Sequence, residues 1–309
     1  MRSSRLLSIF SITLCLVTTV EVRLKAQPFF EDARGKASIH LPVGGIARIN
    51  TADESLKFGY YFNRSDKDLV FGMDASGRST NGLASIFSDD KLLPEATLNF
   101  NLGFKNVSTD NSSLSGFDYL HFRLGLGTAK YTLIKTENTF DGQISSETFN
   151  KINIGLSYNY FLNGNMIFGV YGGYDKTNNI NELRKIKIIE SFIISDDPSG
   201  TIIRSSELEY TAWRGELKRV NQFSLFFDYV YIPDFINNRV AMSVYSRSGF
   251  NNNRNNTNGG FGIYFNKEGE PLKIIGGLIY EFDDLFDAGK TGSKLGQRGT
   301  IGIVAGYNF

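Results

Sequence analysis

The feature that most constrains the fold is a repeated two-residue alternation of apolar and polar side chains. Between Leu98 and Phe104 every second residue is Leu or Phe, and the residues between them are Asn or Gly. Successive residues of a β-strand point to opposite faces, so this pattern predicts a strand with one apolar and one polar face. The same alternation recurs over residues 120–126, 152–160, 223–231 and 240–244. The sequence therefore predicts an all-β chain of long antiparallel strands.

The composition agrees with many strands joined by turns. The 309 residues include 26 Phe, 15 Tyr and 32 Gly but only 6 Pro. Aromatic residues favour strands and glycine favours turns, whereas proline interrupts strand pairing. The 33 basic and 32 acidic residues nearly balance. A balanced charge does not favour nucleic-acid binding, which needs a basic stripe.

The N-terminal stretch is typical of a secretory signal peptide. Arg2 and Arg5 precede the apolar run Leu6–Val20, and Ala26 is a plausible cleavage point. We therefore expect a signal peptide over residues 1–26 and a single domain over residues 27–309. Cys15, the only cysteine, would leave with the signal peptide, so the mature chain would have no thiol. Residues 27–50 are expected to form either a short plug or the first strand.

The C-terminal stretch carries a family resemblance. Ile301, Ile303, Tyr307 and Phe309 share one face of an alternating segment that ends on an aromatic residue. This segment resembles the closing strand of Gram-negative outer-membrane β-barrel proteins. The resemblance implies an antiparallel up-and-down transmembrane β-barrel in contact with lipid and lipopolysaccharide. It also implies that Tyr307 and Phe309 are read by the outer-membrane assembly machinery.

The number of strands depends on one segment. About 14 strands are predicted, or 12 if the hairpin at 183–212 lies outside the membrane, because that segment carries charges on both faces. Both numbers are even, as single-chain bacterial barrels require. Short connections alternate with long polar ones along most of the chain. This alternation places both termini in the periplasm and the long loops outside.

Charged residues on the polar phase of the strands are the candidate lumen-lining or solute-binding groups. His121 beside Arg123 could bind an anionic solute, although filling a polar lumen through hydrogen bonds is the interpretation we favour. The acidic residues near 281–287 lack the spacing of a calcium loop. No catalytic residue, metal or cofactor is predicted. The full set of candidates for lining the lumen or its rims is Lys57, His121, Arg123, Asp228, Arg247, Lys273, Glu281 and Arg298.

Three functions are compatible with this pattern. We expect a passive pore or binding barrel for small hydrophilic solutes, which is not an enzyme. A structural or secretion-accessory scaffold with a protein partner at its outer loops is the first alternative, because a fold does not fix a function. A secreted soluble β-protein is the second.

Overall fold

The structure is a computed structural model. It describes residues 30–39, 44–64, 68–78, 95–107, 116–135, 143–162, 165–180, 183–196, 203–251, 255–267, 270–288 and 292–308. The expected signal peptide, His40 and Phe309 lie outside these ranges. Within them, no helix combines the length and the apolarity that a membrane span requires.

The described residues form fourteen strands, and all the pairs between ring neighbours are antiparallel. They are β1 (Gly44–Asn50), β2 (Ser55–Arg64), β3 (Leu69–Arg78), β4 (Glu95–Val107), β5 (Gly116–Ile134), β6 (Ile144–Leu162), β7 (Met166–Asn178), β8 (Arg184–Asp196), β9 (Ile203–Arg214), β10 (Arg219–Tyr231), β11 (Val240–Phe250), β12 (Asn255–Lys267), β13 (Glu270–Phe282) and β14 (Gly299–Asn308).

Twelve of these strands close into a ring. β7 pairs directly with β10, from Asn178 opposite Arg219 to Met166 opposite Tyr231. The ring closes where β1 pairs with β14, with Ala47 opposite Tyr307. Closure gives every ring strand a paired neighbour on both sides, which is how a β-structure satisfies its backbone without water. The predicted barrel is confirmed: 14 strands are present, and 12 of them form the ring, which is the number expected if the hairpin at 183–212 is set apart from it.

The two remaining strands form a hairpin outside the ring. β8 and β9 pair with each other, and β9 meets β5 in parallel at only two positions, Leu133 opposite Trp213 and Ile134 opposite Arg214. β5 pairs with β4 as far as Ala129 and then continues to Ile134. β9 contacts this extension of β5. A small apolar cluster holds the hairpin there, formed by Ala129, Tyr131, Leu133 and Trp213 with Ile180, Leu183 and Leu217.

Each strand of the ring separates its two faces sharply. Along β10, Phe223 and Phe227 are 52% and 46% exposed, whereas the alternate residues Ser224 and Asp228 are buried. The exposed set contains mostly Phe, Leu, Ile and Val, and it recurs around the ring. Soluble monomers rarely expose so continuous an apolar surface. An apolar outer face with a polar interior is the arrangement of transmembrane β-barrels.

The ring has two ends, which we name by their connections. The terminal end holds the start of β1 and the end of β14, and the loop end holds the turn 51–54 and the segment 283–298. The β8–β9 hairpin belongs to the loop end, because β7 runs toward that end and β10 runs away from it. Residues 30–39 lie inside the ring and are called the lumenal segment.

Candidate functional site: the barrel lumen

Alternation along the strands brings polar side chains to the inside of the ring. Many of the buried polar or charged residues of the ring strands occupy these positions. They include Arg48, Asn50, Asp74, Asn99, Asn101, His121, Ser157, Asn159, Ser224, Asp228, Ser243, Arg247, Asn258 and Glu281. Buried polar groups must find hydrogen-bond partners inside the protein. Their partners divide the lumen into two walls.

The first wall, on β2–β5, is organised around Asp74. Tyr61 donates its hydroxyl to Asp74 Oδ2 at 2.8 Å, and the amide of Asn99 donates to Oδ1 at 2.7 Å. The amide of Asn101 donates to Oδ2 at 2.9 Å. Two cations complete the set: Lys57 Nζ lies 3.3 Å from Oδ1, and Arg123 Nη2 lies 3.6 Å from Oδ2. We call Lys57, Tyr61, Asp74, Asn99, Asn101 and Arg123 the Asp74 cluster.

His121 is built into the same wall. Its Nε2 lies 3.0 Å from Asn101 Oδ1, and its Nδ1 lies 3.3 Å from Ser157 Oγ. The side chain is only 1% exposed. With both ring nitrogens engaged, the imidazole links β4, β5 and β6. This arrangement accords with a residue that fills a polar lumen through paired hydrogen bonds.

The lumenal segment makes a tight turn of its own. Asp32 Oδ1 accepts hydrogen bonds from the backbone N–H groups of Arg34 and Lys36, each at 2.8 Å. The backbone N–H of Gly35 donates to Asp32 O at 3.1 Å. Gly35 has φ +70°, a left-handed conformation that glycine adopts without a steric penalty. The turn therefore follows from the sequence Asp-x-x-Gly.

The second wall, on β10–β13, is completed by this segment. Arg247 Nε donates to Asp32 Oδ2 at 2.9 Å, and Arg247 Nη2 donates to Asp228 Oδ1 at 2.6 Å. The other oxygen of Asp228 accepts the backbone N–H of Ser38 at 2.6 Å and also the Ser38 hydroxyl. Arg247 thus holds one carboxylate of the ring and one of the segment.

Glu281 is the second anchor of this wall. Its Oε2 accepts the backbone N–H of Ala33 at 3.2 Å, and its Oε1 lies 3.2 Å from Arg34 Nε. Asn258 also donates to Oε1, at 3.0 Å. Arg34 makes a further ion pair with Asp283 at the loop-end rim. The turn of the segment therefore lies toward the loop end.

Further contacts surround the rest of the segment. Arg48 of β1 pairs with Glu31. Tyr264 donates its hydroxyl to Glu31 O at 2.8 Å, and its ring meets Phe30 edge-on with centroids 5.2 Å apart. The amide of Asn159 donates to Ser38 O at 2.8 Å. The segment thus contacts strands on opposite sides of the ring.

One glycine marks how closely the segment approaches the wall. A Cβ at Gly169 would lie 2.6 Å from Ile39 Cγ1 and 2.7 Å from Ser38 Oγ. Neither distance is available to real carbon atoms, so only glycine leaves room for the segment there. Gly172, three residues along β7, faces outward and meets only Phe223 at 4.0 Å.

The turn 51–54 brings an acidic residue next to the segment. Asp53 pairs with Arg78 at 3.3 Å, and its Oδ2 lies 3.2 Å from the point where a Cβ of Gly35 would be. Burial raises the pKa of the Asp53 carboxyl to about 7, and the nearby carboxylates of Glu95 and Asp32 act in the same direction. The Arg78 guanidinium opposes this rise. Asp53 is therefore a group at the loop end that titrates near neutral pH.

The structure distributes the eight lumen candidates over several places. Lys57, His121 and Arg123 lie together in the first wall, and Asp228, Arg247 and Glu281 lie in the second. Arg298 lies at the loop-end rim, in a 3-10 turn over Leu295–Arg298, and its Nη1 is 3.5 Å from Asp287 Oδ1. Lys273 lies in β13, and its side chain is outside the described residues, as is that of Tyr307 in β14.

Sequence reasoning missed the residues that organise both walls. Asp74 was not singled out, although Asn99 and Asn101 were placed on the polar phase of their strand. The two-residue alternation of β3, followed as far as Asp74, predicts that the Asp74 side chain points to the inner face. Asp32 and Ser38 carry no periodic signal. Their role depends on contacts with residues about two hundred positions further along the chain.

Together these features define the class of protein: a closed antiparallel β-barrel with an apolar outer face and a charged, polar lumen. The architecture implied by the C-terminal resemblance is thus confirmed. No family model and no curated protein matches the chain. Among solved structures, the chain is similar to one described as "NanC porin structure in rhombohedral crystal form". The identity is 10%, the TM-score is 0.37, and the match covers 86% of this chain and 98% of the other.

Proposed function

We propose that the protein is an integral outer-membrane barrel that passes small hydrophilic solutes passively. The observation that carries this proposal is the pairing of an apolar outer face with a charged lumen in one closed ring. The outer face suits lipid, because each large apolar side chain removed from water contributes about 1.5–3 kcal/mol. The inner face suits water and polar solutes.

The chemistry of the lumen favours solutes that form hydrogen bonds. Both walls carry cations and anions, such as Lys57 and Asp74 on one and Arg247 and Glu281 on the other. Asparagine, serine and tyrosine groups lie between these charges. Mixed charge with many hydrogen-bond donors and acceptors suits small hydrophilic solutes of either sign better than a single ionic species.

The proposed orientation follows the lengths of the connections. The terminal end would face the periplasm, with Tyr307 and Phe309 offered to the assembly machinery during insertion. The loop end, with the β8–β9 hairpin and the residues 283–298, would face outward among lipopolysaccharide. Short turns at the periplasmic side and long loops outside are typical of bacterial barrels.

A scaffold is the second candidate, and the β8–β9 hairpin favours it. Among the described strands, none pairs with β8 on the side away from β9, and Ile189 on this strand is 56% exposed. Unpaired strand edges can pair with another chain. Cross-linking from intact membranes tests this function: a specific partner lost when the hairpin is removed would favour a scaffold over a channel.

Solute passage is tested by reconstitution. The mature chain is folded into liposomes, its folding is checked by heat-modifiable gel mobility, and the entry of sugars and amino acids is followed by swelling. The proposal predicts flux in the wild type, or in variants in which the lumenal segment is displaced. A folded protein without flux in any of these forms would overturn it. Release of the native protein from membranes by a carbonate wash would favour the secreted soluble alternative.

A further inference from the structure

We infer that the second wall of the lumen is a binding site for the chain's own lumenal segment, which acts as a reversible plug. Binding of the segment to this wall does not depend on the proposed function. Only its effect, the blocking of solute passage, rests on that proposal. The ligand is a short peptide turn that carries two acidic and two basic residues, Glu31, Asp32, Arg34 and Lys36. The site is the set of ring residues that these groups contact.

The contacts of the segment are complementary in charge. Asp32 faces Arg247, Glu31 faces Arg48, and Arg34 faces Glu281 and Asp283. Arg247 also meets Asp228, so the groups that surround the segment are two cations, Arg48 and Arg247, and three anions, Asp228, Glu281 and Asp283. The segment itself carries two acidic and two basic residues. Each of these ion pairs therefore joins opposite charges across the interface.

The segment blocks the path because it spans the lumen. Asn159 on β6 and Tyr264 on β12, strands that are not neighbours in the ring, both donate hydrogen bonds to it. The turn at Gly35 lies beside Asp53 at the loop end, whereas Ser38 lies by Asp228, nearer the terminal end. The segment enters from the terminal end, turns and returns to begin β1. A solute crossing the lumen would have to displace it.

The contacts of the segment can be exchanged for water. Among the described residues, its backbone-to-backbone hydrogen bonds are internal, from Asp32 N to Lys36 O and from Gly35 N to Asp32 O. It therefore adds no strand to the sheet. It is held by ion pairs, by side-chain hydrogen bonds and by the apolar residues Phe30 and Ile39 at its ends. Ionic and hydrogen-bonded contacts lose much of their net strength where water can replace them.

The opposite wall gives the segment no comparable role. The anion of the Asp74 cluster already has five partners from the ring. Displacing the segment would remove none of these five contacts. The ring can therefore keep one wall in place while the occupant of the other wall leaves.

The test uses the full mature chain in vesicles and two independent readouts. A thiol is introduced at Ala33→Cys, a small residue that is 4% exposed, and its reaction with a membrane-impermeant maleimide is timed. Lys294→Cys at the exposed loop-end rim is the control for reagent access. The second readout is ion conductance in planar bilayers. The expected absence of thiols from the mature chain keeps both reporters free of background.

Two substitutions displace the segment by different means. Asp32→Asn weakens the pairing with Arg247 from the side of the segment and leaves the ring sequence intact. Gly169→Val places a side chain where Ile39 and Ser38 now lie, and Gly172→Val is its matched control on the outer face. We expect Ala33→Cys to react at least about tenfold more slowly than Lys294→Cys. Asp32→Asn and Gly169→Val should accelerate this reaction and raise conductance about tenfold, and Gly172→Val should do neither.

The outcomes separate the plug from the channel. Reaction of Ala33→Cys as fast as Lys294→Cys, or equal conductance in the wild type and both displaced variants, would overturn the plug. Accelerated labelling without conductance in any variant would uphold binding of the segment and overturn solute passage. Gel mobility of each variant before and after heating shows that the ring has folded.

Discussion

The two walls of the lumen solve the same problem in different ways. Both bury charges inside the ring, yet the Asp74 cluster obtains its partners from the strands β2–β5, whereas Arg247, Asp228 and Glu281 on β10–β13 obtain theirs partly from residues 30–39. A wall that satisfies its own charges acts as part of the barrel. A wall that takes part of its partners from outside the ring strands can exchange those partners. The following predictions, from the largest effect to the smallest, test this distinction.

Asp74→Ala should have the largest effect on stability. It removes the shared acceptor of Tyr61, Asn99 and Asn101 and leaves Lys57 and Arg123 without their anion. Breaking a buried charged network from one side costs about 3–5 kcal/mol. The free energy of unfolding is measured in lipid vesicles from the urea dependence of gel mobility.

The control for this substitution is Asp118→Ala, whose contact with the Tyr158 hydroxyl is exposed. It should change the free energy of unfolding by less than about 1 kcal/mol. In a chain that also carries Ala33→Cys, Asp74→Ala should leave the rate at which the thiol of the folded protein reacts with maleimide unchanged. Equal stability of the two variants would contradict the structural role of the Asp74 cluster.

Arg247→Met should have a smaller effect on stability but a clear effect on the segment. The substitution removes the cation between Asp32 and Asp228, and hydrogen bonds to charged groups contribute about 1.5–3 kcal/mol. Asp32 can then leave the lumen with the segment, which limits the loss. We expect a destabilisation of about 2–3 kcal/mol and faster labelling of Ala33→Cys. Unchanged labelling would show that the second wall does not need this contact.

The pH dependence of stability should reveal Asp53 at the loop end. Its pKa is raised in the folded protein to about 7, so between about pH 4 and pH 7 the folded state binds more protons than the unfolded state. The wild type should therefore lose stability relative to Asp53→Asn as the pH rises through this window. One titrating group changes the free energy of unfolding by at most about 1.4 kcal/mol per pH unit.

The check is a series of urea titrations of the wild type and Asp53→Asn between pH 4 and pH 9. The difference in the free energy of unfolding between the wild type and Asp53→Asn should be constant above about pH 8, where Asp53 is ionised in both the folded and the unfolded state. A difference that does not vary below pH 7 would show that the carboxyl has no raised pKa. Asp118→Asn serves as the control with a carboxyl on the outer side of the ring.

Tyr264→Phe should have the smallest effect. It removes one hydroxyl, which donates to Glu31 O at 2.8 Å, and keeps the ring contact with Phe30. A single neutral hydrogen bond contributes about 1 kcal/mol. We expect a modest loss of stability together with a small acceleration of Ala33→Cys labelling. If the loss persists in a chain whose segment has already been displaced by Asp32→Asn, the hydroxyl does not act through the segment.

Much of the barrel could be predicted from sequence because its signal is local. The alternation around His121, Arg123 and Asp228 fixed which side chains point inward, and the structure places all three there. The number of strands in the ring could not be decided from the alternation, since a hairpin has the same two-residue period inside or outside the membrane. What decides it is the pairing of Asn178 with Arg219, a contact between strands on either side of the hairpin.

The sequence suggests a short plug or a first strand within residues 27–50, but the contacts of the lumenal segment cannot be predicted from it for a physical reason. Ser38 and Asp228 are separated by 190 residues, and Ala33 and Glu281 by 248, so no periodic pattern links them. Arg298 is one of the residues expected to line the lumen or its rims. The chain forms a 3-10 turn there and directs the guanidinium to Asp284 O and Asp287 at the rim.

The side chains of β10 from Phe223 to Asp228 point alternately to lipid and to the lumen, and two neighbouring positions test this alternation most directly. The native Trp213 is replaced by Phe, and single tryptophans are introduced as Phe226→Trp and Phe227→Trp in vesicles that contain brominated lipid. Phe227 is 46% exposed on the outer face, whereas Phe226 is buried against Tyr171, with their ring centroids 4.8 Å apart. The account predicts strong quenching at position 227 and little at position 226. Equal quenching at both positions, or none at either, would contradict a barrel that crosses the membrane with this inner and outer face.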